Sequence, residues 1–165
     1  MRIVLVPAAP GLLPCDGLID PFVEARAASV AALTDALASS KTVAVLGSEP
    51  IAESLLRQAG FRGQLVTAPA DLVVVSADGS ATRTEKAPGF LDDRAADFDK
   101  VIEAALANGD AAALASLDED LAEQLWCRGV PAFRAMAELL QPHSAEVTYA
   151  DAPYGVAYWV ATWTD

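Results

Sequence analysis

The run Asp71-Leu72-Val73-Val74-Val75-Ser76 constrains this chain more than any other stretch. Its apolar centre leaves no polar face, so a strand built from it is covered on both sides, as in the interior of a parallel sheet. The segments before it fit that placement. Residues 2–6 are a short apolar run ending at Pro7, and Thr42–Leu46 is a second run that stops at Gly47-Ser48-Glu49-Pro50. Between them, Asp20-Pro21 reads as an N-cap followed by proline in the first turn. Phe22, Ala25, Val30, Leu33 and Leu37 continue at helical spacing, which predicts a helix over 21–39. A further helix is expected over about 50–59, stopped by Gly60.

Beyond the valine run the pattern changes. A polar stretch from Ala77 to Gly89 is followed by helical segments over about 92–107, after Asp110, after Asp118, and at Pro131. Residues 145–150 and 156–163 alternate in strand fashion around Asp151-Ala152-Pro153-Tyr154-Gly155, which reads as an antiparallel hairpin. The expected fold is therefore α/β in three layers. A central, mostly parallel but mixed sheet has helices on both faces and a C-terminal antiparallel hairpin. With no repeat, low-complexity tail or linker in view, residues 1–165 read as a single domain.

Composition narrows the partners. With 11 Lys and Arg against 23 Asp and Glu, the net charge is −12, and the cations are scattered. Nucleic acid and anionic membrane surfaces are repelled by such a chain, so neither is expected as a partner. The two cysteines, Cys15 and Cys127, lie far apart among apolar neighbours, which fits reduced thiols and a cytoplasmic location. The apolar run at residues 2–6 is too short for a signal sequence or a membrane span.

Few residue patterns carry chemistry. Gly47-Ser48 lies at a strand-to-helix turn that favours an anion, but it matches no dinucleotide or P-loop fingerprint, and an ordinary turn explains it. His143 is the only histidine, in the loop Gln141-Pro142-His143-Ser144, with no nucleophile motif to serve. Cys15, Cys127 and His143 lack the close spacing of a zinc motif, so no metal and no cofactor is expected. Asp92, Asp93, Asp97 and Asp99 read as a solvated helix start. Asp78, Ser80, Arg83, Glu85 and Lys86 crowd the segment after the valine strand, the edge where open α/β sheets bind ligands. They are the candidate ligand-binding residues, together with Asp151 and Tyr154 of the hairpin turn.

Two stretches carry a resemblance. Asp78-Gly79-Ser80-Ala81-Thr82-Arg83-Thr84-Glu85-Lys86-Ala87-Pro88-Gly89-Phe90-Leu91-Asp92 is the first, and Asp151-Ala152-Pro153-Tyr154-Gly155-Val156-Ala157-Tyr158 the second. With them the chain resembles a group of bacterial proteins of unassigned function. That group is similar to the catalytic B subunit of class III extradiol ring-cleavage dioxygenases (LigB-like). The likeness implies an α/β fold with a mixed sheet and, in active members, a ferrous ion held by two histidines and a glutamate. It also implies what this chain lacks. Pro7-Ala8-Ala9-Pro10 stands where active members carry a ligand histidine, and Ala81 stands where they carry a base histidine. The region around 40–65, where a second ligand belongs, is shorter. Alanine supplies no imidazole nitrogen, so ring-cleavage chemistry is not expected.

Three functions follow as expectations. The first is a non-catalytic domain binding a small molecule or a protein partner at the edge bearing residues 78–86. The second is an enzyme with an atypical site, dioxygenase-like or a metal-free hydrolase using Asp78, Arg83 and Glu85. The third is a structural subunit. Along 156–163 both faces of the strand are largely apolar, which predicts a homodimer with Trp159 or Trp163 near its contact.

Overall fold

The computed structural model describes residues 1–14, 20–140 and 145–164; Cys15 and His143 lie outside the described residues. Among the described residues the chain forms five strands and six α-helices. In order these are β1 (Arg2–Val6), α1 (Val23–Leu37), β2 (Val43–Gly47), α2 (Glu49–Gln58) and β3 (Leu72–Ser76). They are followed by α3 (Ala95–Asn108), α4 (Ala111–Ala115), α5 (Glu119–Gln124), α6 (Val130–Ala137), β4 (Glu146–Asp151) and β5 (Tyr158–Thr164).

The strands make one mixed sheet in the order β2-β3-β1-β5-β4. β3 pairs in parallel with β2 on one side and β1 on the other, while β5 runs antiparallel to both β1 and β4. All five residues of β3 are buried, as its unbroken apolar run requires. Side chains of β1 and β3 alternate between two clusters. Ile3, Leu5, Val73 and Val75 join Phe98 and Ile102 of α3, and Phe133 and Met136 of α6. Val4, Val6 and Val74 join Leu33 of α1 and Leu55 and Leu56 of α2.

Local signals place the helix ends. The expected N-cap, Asp20, is displaced: its carboxylate accepts from the Phe22 amide at 3.0 Å, but Phe22 is the N-cap residue, without a side-chain cap bond, and α1 spans Val23–Leu37 rather than 21–39. Asp110 and Asp118 cap α4 and α5 by accepting from the Ala113 and Leu121 amides, each at 3.0 Å. Gly109, at φ 62°, closes α3 in the left-handed region.

Two further expectations are corrected. Asp99 is not on a solvated helix face; it is 1% exposed. α3 starts at Ala95, and Asp99 falls on the same stripe as Ala95, Ile102 and Leu106, all buried. Nor do Trp159 and Trp163 face outward. β5 sits between β1 and β4 rather than at the edge, and both indoles are buried in the cluster with α3 and α6. The apolar faces of β5 are thus covered by the chain itself, and β4 is the outer strand on that side.

Candidate functional site

α1, which follows β1, packs in one cluster, and α3, which follows β3, packs in the other. β1 and β3 are neighbours, so the loops leaving their carboxyl ends diverge and open a crevice, as expected where connections part in an open α/β sheet. A cleft of about 650 Å³ lies there. Its walls come from the loops after β1, β2 and β3, the start of α6 and the entry to β5. Ala8, Ser48, Asp78, Trp126, Arg128 and Tyr158 line it.

Asp78 is the acidic group of the cleft. Its Oδ1 accepts from the Ala8 backbone N–H at 2.6 Å. Burial pushes its pKa from 3.8 up to about 7, and the single amide only partly opposes this. The Tyr158 hydroxyl is held above its ordinary range, first by burial and then by the charge at Asp78. Neither that hydroxyl, the Ser48 hydroxyl nor the Arg128 guanidinium bonds to another described residue. Trp126 has φ 56° and is 50% exposed, its indole lying where a Cβ on Gly89 would meet it at 3.0 Å. Such a backbone is costly for a bulky side chain and persists only when its surroundings enforce it.

Cys127 stands behind the cleft as structure. Its Sγ donates to the Asp78 carbonyl oxygen at 3.5 Å, and burial pushes the thiol up to about 12, so no nucleophilic thiolate forms near neutrality. Gly129 presses on the same backbone; a Cβ there would lie 2.2 Å from the Asp78 carbonyl oxygen.

The candidate residues from the sequence divide. Asp78 alone lines the cleft. Ser80 and Arg83 turn the other way, onto buried Asp99. The Ser80 amide and hydroxyl donate to its two oxygens at 2.8 and 2.6 Å, and Arg83 adds an ion pair at 3.1 Å. Glu85 and Lys86 are exposed and line no part of the cleft. Asp151 is exposed and accepts from the Ala152 amide at 2.7 Å. Tyr154 is 64% exposed with φ 55°, its ring 6.2 Å from that of Phe22. Sequence reasoning missed Arg128 and Trp126, which follow the six-residue α5 with no motif around them. Tyr158 was legible only as part of an alternating strand.

The two stretches that carry the resemblance meet in space. The Arg83 amide donates to the Gly155 carbonyl at 3.0 Å, and Gly79 and Ser80 exchange backbone bonds with Ala157 at 2.8 and 3.0 Å. A Cβ on Gly79 would meet Trp159 at 2.5 Å, and one on Gly155, at φ 76°, would meet Thr84 at 2.6 Å. The glycines of both stretches are therefore required by close approach.

The iron implied by the resemblance does not fit these residues. Ala9 is buried at 1% exposed, Ala81 lines the cleft with a methyl group, and Asp78 is the one carboxyl group there. Among the described residues no group of three or more His, Cys, Asp or Glu side chains is placed to hold a metal ion. No helix among them is long and apolar enough to cross a membrane. No protein-family model matches the chain, and no curated protein matches it.

Proposed function

We propose that this chain is a LigB-like α/β domain, three-layered and cytoplasmic, that binds a small molecule in the carboxyl-end cleft and does not carry out metal-dependent ring cleavage. The observation behind this reading is Asp78, a largely buried carboxyl group with one backbone partner, opening into a cleft beside Arg128 and Tyr158. The buried carboxylate Asp99, by contrast, has both oxygens engaged. A buried polar group left half satisfied calls for an explanation, and a ligand that completes its bonding is one. The two alternating side-chain clusters support the three-layer arrangement.

Amide chemical-shift mapping of the labelled chain against a panel of small polar and aromatic compounds tests the reading. Compounds that bind shift Ala8, Gly47 and Gly129 together. A panel that leaves all three unmoved while the fold is intact ends it.

A second reading has its own observation. A carboxyl group titrating at about 7 both gives and takes protons near neutrality, as a general acid–base catalyst does. On that reading the chain is a metal-free hydrolase working through Asp78. Arg83 and Glu85 have no part in it, since neither lines the cleft. Ester turnover that disappears in Asp78→Asn supports it, and turnover unchanged in that variant excludes it.

A further inference from the structure

Three side chains of unlike chemistry line the cleft with bonding capacity that the described residues leave unused. Trp126 offers a half-exposed indole whose backbone is held at φ 56° and whose ring rests against Gly89. Arg128 is an exposed guanidinium with no acceptor among the described residues. Asp78 is a carboxyl group whose Oδ2 has no donor among the described residues. A rigid aromatic face selects a flat ring. A guanidinium selects an anion, best a carboxylate or phosphate taken in two bonds. A carboxylate in a sheltered wall selects N–H donors.

The source of the positive charge is specific. The first turns of α2 and α6 both abut the cleft, but Pro50 and Pro131 occupy them and remove amides that would otherwise face an anion. The Ser48 amide is already committed to the Ser76 carbonyl at 3.1 Å. Arg128 is the one cationic side chain among the lining residues, and so the group with full charge to hold an anion against a chain of net charge −12.

We infer that the cleft takes a planar nitrogen heterocycle bearing an anionic group, the chemistry of a purine mononucleotide, stacked on Trp126, with its ring N–H edge on Asp78 and its anion on Arg128. Guanine presents adjacent N–H donors that match a carboxylate, and aromatic stacking tolerates any base. The inference rests on the small-molecule reading above and names the class of ligand for the same site.

Guanosine monophosphate, guanosine, inorganic phosphate and benzoate are titrated separately into the labelled full chain, following the amides of Ala8, Gly47 and Gly129. The monophosphate is expected to move all three and to bind about tenfold or more tighter than guanosine. Arg128→Ala should collapse that ratio toward one while leaving guanosine affinity unchanged. Trp126→Ala should weaken both ligands about tenfold, with Trp126→Phe retaining most of the affinity if the aromatic face, and not the local fold, is what matters. Asp78→Asn should weaken guanosine and leave phosphate alone unaffected. If benzoate moves the cleft amides and the guanine ligands do not, the ligand class is wrong and the small-molecule reading stands. If the ratio survives in Arg128→Ala, the anion assignment is overturned. If none of the four moves these amides, this inference falls, and a wider panel with the same result takes the small-molecule reading with it.

Discussion

The backbone N–H of Ala8 donates to Oδ1 of Asp78 across 2.6 Å, fastening the loop after β1 to the loop after β3 at the floor of the cleft. The bond favours the ionised carboxylate, while burial opposes it more strongly and raises the pKa from 3.8 to about 7. Between these values the folded protein holds a proton that the unfolded chain has released. The contribution of Asp78 to stability therefore falls as pH rises from about 4 to about 7 and is level above that. Asp78→Asn keeps an acceptor for Ala8 and removes the titration. Urea unfolding should find the variant equal to the parent near pH 4 and more stable by a few kcal/mol at pH 8. A constant difference between the two proteins across this range would refute the assignment.

Asp99 is the opposite kind of carboxylate, buried and fully engaged by Ser80 and Arg83. Removing it strands an arginine and two further donors against a closed core. Asp99→Ala should cost about 3 kcal/mol or more. The exposed pair Lys100–Asp97, on the same helix, should lose no more than about 0.5 kcal/mol in Asp97→Ala. Equal losses in the two variants by chemical denaturation would show that the Asp99 network holds nothing.

Gly47 and Gly60 share a left-handed backbone, at φ 90° and 96°. Only Gly47 is crowded: a Cβ there would lie 2.1 Å from the Ser76 carbonyl oxygen, whereas nothing lies within 4 Å at Gly60. Gly60→Ala should cost about 1–2 kcal/mol from conformation alone. Gly47→Ala should exceed it by about 2 kcal/mol, because two paired strands must part to admit the methyl group. The comparison needs only two thermal melts, and equal melting temperatures would contradict it.

Trp159 and Trp163 differ in one bond. The Trp159 indole N–H donates to Glu103 at 3.4 Å, and the buried Trp163 N–H has no partner among the described residues. Phenylalanine removes ring volume at either site, but at 163 it also removes an unsatisfied donor. Trp163→Phe should be the milder substitution by about 1 kcal/mol. Denaturant midpoints that rank the pair the other way would mean that shape, not bonding, dominates at 163.

Much of the framework is legible in the sequence. The valine run and the two segments ahead of it became three parallel strands within a residue of their expected bounds, because each is apolar and short, the first closed by Pro7, the second by Gly47 and the third by the polar stretch after Val75. The hairpin was legible as well, but its rank in the sheet was not. Alternation reports that both faces of β5 are apolar and says nothing of which strands flank it. In the site, Asp78 was found from its place after the central strand. Ser80 and Arg83 share that neighbourhood, yet they serve Asp99, a partner that helical phase could have exposed, since Ala95, Asp99 and Ile102 lie on one stripe. Arg128 and Trp126 were invisible, as single residues brought to the cleft by tertiary packing usually are.

The position of β5 between β1 and β4 bears on how the chain reaches its folded state. β1 is synthesised before both of its neighbours, β3 at Leu72–Ser76 and β5 at Tyr158–Thr164. A growing chain can assemble β2 with β3 and seat β1 beside them. The other side of β1 then stays open until residues 158–164 have left the ribosome. Pairings that span so much sequence form slowly, and an exposed strand flank invites wrong partners in the interval. Truncation before residue 158 should therefore yield a chain that associates with itself or with chaperones, while the chain of residues 1–165 refolds at a rate set by the docking of β5.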